Sequence, residues 1–376
     1  MTLPEPAPRP PDGYLDAVGG QPLLPVAREA WLAAVESGWS DPARLHHEGR
    51  RAGALLDAAR ASIATSLGVR PDEVFLTTSG PTAVGVAVTG LLQARAVGER
   101  RVVASAVESL AVLSPAGSAA DRLDLVPVDG NGLVSVGGFA QALAEPAALA
   151  CLQAANPEVG TVQPVAQVAA ATRAAGVPLL VHAVQVIGRM PVPPDWDVLC
   201  AAARDWGGPA GVGVLAVRAH VRWRPDENPD RGWVSGFPDI PGAVAAARAL
   251  EYLRDAQAAE ALRHRAMTER LRDRLPHLAE GIVVTGDPAD RLPHVVTFTC
   301  DGVVGEAVVD RLARAGYSVA SGSACTSDVR MPSQVLAAMG VRADASVRVS
   351  LPLGCADDIV EEFLAAFPDA VAAARS

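Results

Sequence analysis

Between residues 73 and 217 the chain switches repeatedly between short apolar runs and stretches with helical spacing, and this alternation restricts its fold more than any other feature. The runs lie at 73–78, 101–107, 123–128, 148–154, 178–183, 198–202 and 211–217, with helical patterns such as 138–144 and 165–175 between them. Continuous apolar runs of strand length suit strands buried on both faces. Strands joined through helices run parallel, so the expectation is an open, largely parallel sheet covered by helices. Ligands of such sheets bind beyond the carboxyl ends of the strands. After the run at 73–78 come Ser79, Gly80, Pro81 and Thr82, a turn opening a helix to about residue 96. Unpaired amides at a helix start attract anions, which makes Ser79 to Thr82 a candidate phosphate cradle.

Before this region, helices are expected at 25–37 and 48–67, with His46 and His47 in the turn between them as surface or subunit contacts. After it, an Ala- and Arg-rich helical stretch from 241 to about 278 bridges to a smaller unit. That unit has strands near 282–285, 294–300, 317–320 and 346–351, and helices at 305–315, 332–339 and 356–373. The expected division is a proline-rich, disordered lead-in at 1–12, a large domain at 13–245 and a small C-terminal α+β domain at 246–376, with 13–30 a candidate to pack on the latter.

One segment of the small domain carries readable chemistry. Residues 321–333 place Cys325 among Gly, Ser and Thr between a strand and a helix, with Ser333 suited to cap that helix. The reading is a flexible, exposed loop. A thiol so placed becomes a nucleophile or sulfur carrier when positive charge lowers its pKa, and Arg330 is the nearest candidate for that charge. The remaining cysteines read differently. Cys151 and Cys200 fall in apolar strand patterns and belong to the core, whereas Cys300 and Cys355 are open as resolving thiols. Five scattered cysteines argue against a disulfide framework and for a reducing cytoplasm. A net charge of −10 argues against a nucleic-acid partner, and no apolar stretch is long enough to span a bilayer. All 32 basic residues are arginine, so no side-chain amine exists to form a Schiff base.

The order of motifs resembles the cysteine desulfurase family, within the class V aminotransferases of the pyridoxal-phosphate fold. The landmarks are residues 45–50, 78–82, 156–164, 181–188, 207–213, 305–307, 321–327 and 346–351, and the likeness runs from Tyr14 to the last helix. It implies a large domain with a mostly parallel sheet plus a smaller α+β domain. It also implies release of sulfur from cysteine by a lysine-bound cofactor, with the loop cysteine taking the sulfur as a persulfide. By this resemblance Cys325 is the sulfur acceptor, Arg348 holds the substrate carboxylate, Thr82 contacts the phosphate, and Asn156 and Gln185 flank the cofactor's phenolic oxygen. Other positions depart from the pattern. Arg204 and Asp205 stand where a His-Lys pair is expected, and His182 replaces the aspartate at the pyridine nitrogen. Ser109 replaces the histidine that stacks on the ring, and Phe237 replaces a threonine that reaches the phosphate across the dimer.

The resulting expectation is a desulfurase-like protein with no covalent cofactor, in which Cys325 accepts or carries a persulfide. Non-covalent pyridoxal phosphate at Thr82, Asn156 and Gln185 is left open but not expected. The implied partner is a sulfur donor or acceptor protein, such as an active cysteine desulfurase, in a homodimer or heterodimer. Two alternatives stand beside this: a non-catalytic partner subunit, and thiol or metal chemistry at Cys325 with His182 and Asp205. The blander version of the latter is that His182 and Asp205 fill an emptied pocket with a mutual hydrogen bond.

Overall fold

The computed structural model describes residues 12–95, 98–322, 324–326, 329–331 and 333–376. After an extended start come α1 (Pro25–Val35) and α2 (His47–Leu67), the second ending where Gly68 takes the left-handed φ of 67° that a glycine adopts without strain. The alternating region then runs β1 (Val74–Thr77), α3 (Gly80–Ala94), β2 (Arg101–Ser105), α4 (Leu110–Ala119), β3 (Arg122–Val126), α5 (Val136–Ala142), β4 (Leu149–Gln153), α6 (Val165–Ala175), β5 (Leu179–His182), β6 (Val198–Ala202) and β7 (Gly213–Val217). These strands form one seven-stranded sheet in the order β1-β7-β6-β5-β4-β2-β3. Neighbours from β3 to β6 pair parallel, and β7 alone runs against β6 and β1. The carboxyl ends of β1, β2, β4, β5 and β6 therefore reach the same edge, delivering Thr77, Ser105, Gln153, His182 and Ala202 there.

Strands β2, β4, β5, β6 and β7 are buried at every position, as their unbroken apolar runs require, because helices cover both faces. Helix α4 has no counterpart among the sequence expectations. Its interior Pro115, with Ser114, Gly117 and Ser118 around it, conceals the pattern, and its packing against α3 holds it.

The 39-residue α7 (Ile240–Leu278) leads to β8 (Ile282–Thr285), β9 (Val295–Cys300), α8 (Gly305–Arg314), β10 (Ala320–Ser321), β11 (Ala324–Thr326), β12 (Val329–Met331), α9 (Gln334–Ala338), β13 (Ser346–Ser350) and α10 (Ile359–Arg375). A second, antiparallel sheet has the order β10-β13-β9-β8. Leu15 packs in its core with Phe298, Phe363 and Phe367. The segment around Leu15 exchanges backbone hydrogen bonds with Ser318 and Ser350, at 2.8 to 3.1 Å. Among the described residues no helix is long and apolar enough to cross a membrane.

The segment expected to be a flexible loop is a two-stranded ribbon: β11 pairs antiparallel with β12, and Cys325 stands opposite Arg330. Thr326 and Val329 are β-branched and suit the ribbon, and the small residues around them masked that preference. Helix α9 is shorter than the expected 332–339, and Ser333 caps it by accepting a hydrogen bond from the Leu336 amide at 3.1 Å.

Candidate functional site

The first turn of α3 forms one end of the carboxyl edge. Ser79 is its N-cap, and its Oγ accepts from the Thr82 amide at 3.1 Å and lies 2.7 Å from Thr82 Oγ1. Thr78 Oγ1 is 3.3 Å from the same hydroxyl, and Thr77 donates to the Ser79 carbonyl at 2.8 Å, bracing the turn. Gly80 is needed there, since a Cβ on it would sit 2.7 Å from the Ala202 Cβ at the end of β6. Hydroxyls and free amides at the positive end of a 15-residue helix make an anion cradle.

Beside it, β5 and β6 deliver different chemistry. His182 is buried, its Nδ1 lies 3.1 Å from Ser109 Oγ, and burial pushes its pKa down to about 4, which keeps the imidazole neutral near pH 7. Ser109 is the N-cap position of α4 but makes no side-chain cap, so its hydroxyl serves His182 instead. The preceding Glu108 is fully buried. Its Oε2 accepts from the Ser109 amide at 3.2 Å, its Oε1 finds no partner among the described residues, and burial raises its pKa to about 8.

Asp205 sits in the single 3-10 turn that follows β6, and burial raises it to about 6 against the pull of Arg204 and Arg189. Gln185 donates to its Oδ1 at 3.0 Å, and the other end of that amide accepts from His294 Nε2 at 3.0 Å. Gln185 holds a φ of 60°, rare for a residue with a side chain, so the surrounding bonds fix it in place. Asp205 Oδ2 has no partner among the described residues. Arg204 lies 3.8 Å from Oδ1, but its guanidinium donates to the Gly19 carbonyl at 2.7 Å.

The other expected site residues have partners of their own. Asn156 donates to the Val107 carbonyl at 3.2 Å and accepts from the amides of Glu158 and Val159 at 2.8 and 3.0 Å, so its side chain shapes the loop after β4. Arg348 donates to Asp16 Oδ1 at 3.0 Å. The ribbon that carries Cys325 is joined to the antiparallel sheet ahead of it and to this edge behind it. Ahead of it, Ala320 pairs with Arg348. Behind it, Ser333 donates to Glu158 Oε2 at 2.5 Å and Gln334 to the Glu108 carbonyl at 2.8 Å.

Several sequence expectations change here. His182 and Asp205 do not bond to each other: one takes Ser109 and the other Gln185. The Cys325 side chain lies outside the described residues, so its approach to either is not part of the description. Among the described residues no group of His, Cys, Asp and Glu gathers to hold a metal. Cys300 and Cys355 are buried, with burial raising the first to about 12 and the second above its ordinary value, which suits neither to resolve a disulfide. Cys151 and Cys200 are buried in β4 and β6. His46 caps α2, accepting from the Gly49 amide at 3.1 Å, and His47 is its first residue. Phe237 is exposed. Glu108, His294 and Asp16 escaped the sequence reading because each gains its meaning from a fold contact. Only Glu108 left a signal, as a carboxylate at the close of an apolar strand.

The cofactor implied by the resemblance needs an amine for its aldehyde and a carboxylate at its ring nitrogen. The cradle on α3 suits its phosphate. The remaining donor set does not suit the aldehyde, with an acid at 205, a neutral imidazole at 182 and no lysine in the sequence.

Residues 29–363 match the class V aminotransferase family. The chain is similar to an IscS-like cysteine desulfurase of Mycobacterium tuberculosis, 34% identical over 96% of this chain and 97% of that protein. A cysteine desulfurase of Cereibacter sphaeroides is 34% identical over 90% of each chain. Among solved structures, a NifS-like protein superposes with a TM-score of 0.87 at 25% identity, covering 95% of this chain and 98% of its own.

Proposed function

The chain belongs to the class V aminotransferases as a homologue of the cysteine desulfurases, and from that premise we propose that it transfers sulfur through Cys325 without holding pyridoxal phosphate covalently. The observation that carries the reading is Asp205. A buried acid held by Gln185 occupies the position where the family resemblance calls for the amine. Lysine supplies the covalent anchor in that chemistry, and neither arginine nor aspartate replaces it.

Persulfide transfer needs less. The Cys325 thiolate attacks the outer sulfur of a donor persulfide, the donor's S–S bond breaks, and its inner sulfur leaves as a thiolate. One persulfide is made as another is lost, so no outside oxidant or reductant enters. Arg330 stands opposite Cys325 in the backbone register of the ribbon, and a positive charge near a thiol favours its thiolate. The donor is an active cysteine desulfurase or another persulfide-bearing protein in a reducing compartment. The test is to supply sulfur-labelled cysteine and an active desulfurase, alkylate, and map the labelled peptide. Label on Cys325, lost in Cys325→Ser, supports the reading; label elsewhere or nowhere overturns it.

A second reading, a non-catalytic partner subunit, rests on exposed apolar residues. Trp31, Leu32 and Val35 on α1, with Trp39 at 66% exposure, Leu45 at 85% and Phe237 at 62%, are large apolar side chains open to a partner. If Cys325→Ser delivers sulfur to an acceptor as well as the native chain does, this second reading replaces the first.

A further inference from the structure

Asp205 places a buried acid on the carboxyl edge, close to the start of α3. Asp205 is 4% exposed. One of its oxygens is fixed by Gln185, which His294 fixes in turn, while Oδ2 meets no donor among the described residues. A buried carboxylate oxygen without a donor is costly, and a cation is the partner that offsets burial best. The turn bearing Asp205 begins directly after Ala202, and Ala202 is the residue against which Gly80, in the first turn of α3, is pressed. The unmatched acid and the hydroxyl-lined helix start thus share one short stretch of the carboxyl edge.

We propose that this stretch of the edge binds a phosphorylated primary amine, with the phosphate at Ser79–Thr82 and the ammonium at Asp205 Oδ2. The two ends are complementary to opposite charges. The helix start offers amides and hydroxyls to an anion, and Asp205 offers an acceptor to a cation. An aldehyde in place of the amine presents an oxygen to that acceptor and is repelled by it. The aminated form of the aldehyde cofactor, pyridoxamine 5′-phosphate, has both required groups on one ring and is the natural probe. Arg204 lies 3.8 Å from Asp205 Oδ1, and its donation to Gly19 leaves Oδ2 available. This binding does not involve Cys325, so its failure leaves sulfur transfer standing, and loss of the Cys325 label leaves this binding standing.

The experiment is calorimetric titration of the full chain with pyridoxamine 5′-phosphate, pyridoxal 5′-phosphate and unphosphorylated pyridoxamine, supported by the shift each gives in melting temperature. The expected result is stoichiometric binding of pyridoxamine 5′-phosphate at least about tenfold tighter than either of the others, the size of one well-placed charged contact. Asp205→Asn, which keeps the side-chain shape, should abolish the preference for amine over aldehyde. Thr82→Val should weaken both phosphorylated ligands while keeping that preference. Pyridoxal 5′-phosphate binding as tightly as the amine, or no binding of the amine, overturns the proposal. The ligand ranking of the native chain decides the matter even if a variant fails to fold.

Discussion

The carboxyl edge of the central sheet and the ribbon formed by β11 and β12 are tethered to each other, yet their chemistries have gone in different directions. At the edge, the positions that resemblance assigns to cofactor chemistry hold Ser109, His182 and Asp205, each engaged with a neighbour of its own. At the ribbon, the cysteine remains, with Arg330 across from it and Arg348 on the adjoining sheet. Under the proposed function, the difference separates releasing sulfur from carbon from carrying it onward. The first needs an amine and an electron sink, whereas the second needs a thiol with a low enough pKa and an approach path.

The strongest way to break the comparison is to damage one region and read the other. Cys325→Ser should lower persulfide label on the chain by more than about a hundredfold, a full loss of the nucleophile, whereas Asp205→Asn should leave labelling within about twofold. Equal losses in the two variants would mean that edge and ribbon work as one site. A second test rebuilds the edge. Asp205→Lys combined with His182→Asp should trap pyridoxal phosphate as a borohydride-reduced adduct detectable by mass spectrometry, with none on the native chain.

Stability bears on the same contrast, since Glu108 and His182 are both buried at the edge. Folding lifts Glu108 from an ordinary value of 4.5 to about 8, so the folded chain keeps a proton that the unfolded chain has released. Its stability contribution is therefore lost as pH rises through that window. Glu108→Gln should be more stable than the native chain at pH 8 and above, on the order of 3 kcal/mol, with the gap closing toward pH 4.5 in denaturant titrations. His182 works in the opposite sense and by less. Its value falls from 6.5 to about 4, so the unfolded chain takes up the proton first and stability is lost as pH falls through that range. His182→Gln should flatten that acid-side slope by on the order of 2 kcal/mol.

The sheet could be read from sequence because strands buried on both faces are apolar along their length, and β6 obeys this at every residue and β4 at all but its terminal Gln153. Ser333 was legible for a local reason, as a helix cap depends on residues three apart. Cys325 was placed between strand and helix, but its ribbon was hidden, because glycine and serine mark loops and short ribbons alike. Contacts across long sequence separations left no trace. The Asp16–Arg348 pair joins residues 332 positions apart, and the Gln185–His294 bond spans 109. Departures from a family pattern can be seen in a sequence; what the replacements bond to cannot. Asp205 reads as a missing amine, and only the fold shows an acid with one oxygen held and the other unmatched.

The most direct test of the account is to mix the purified chain with pyridoxal phosphate, add L-cysteine, and record the visible spectrum together with released sulfide. The account predicts no band from covalently held cofactor and no sulfide above a protein-free control. A yellow protein that releases sulfide from cysteine unaided would contradict it.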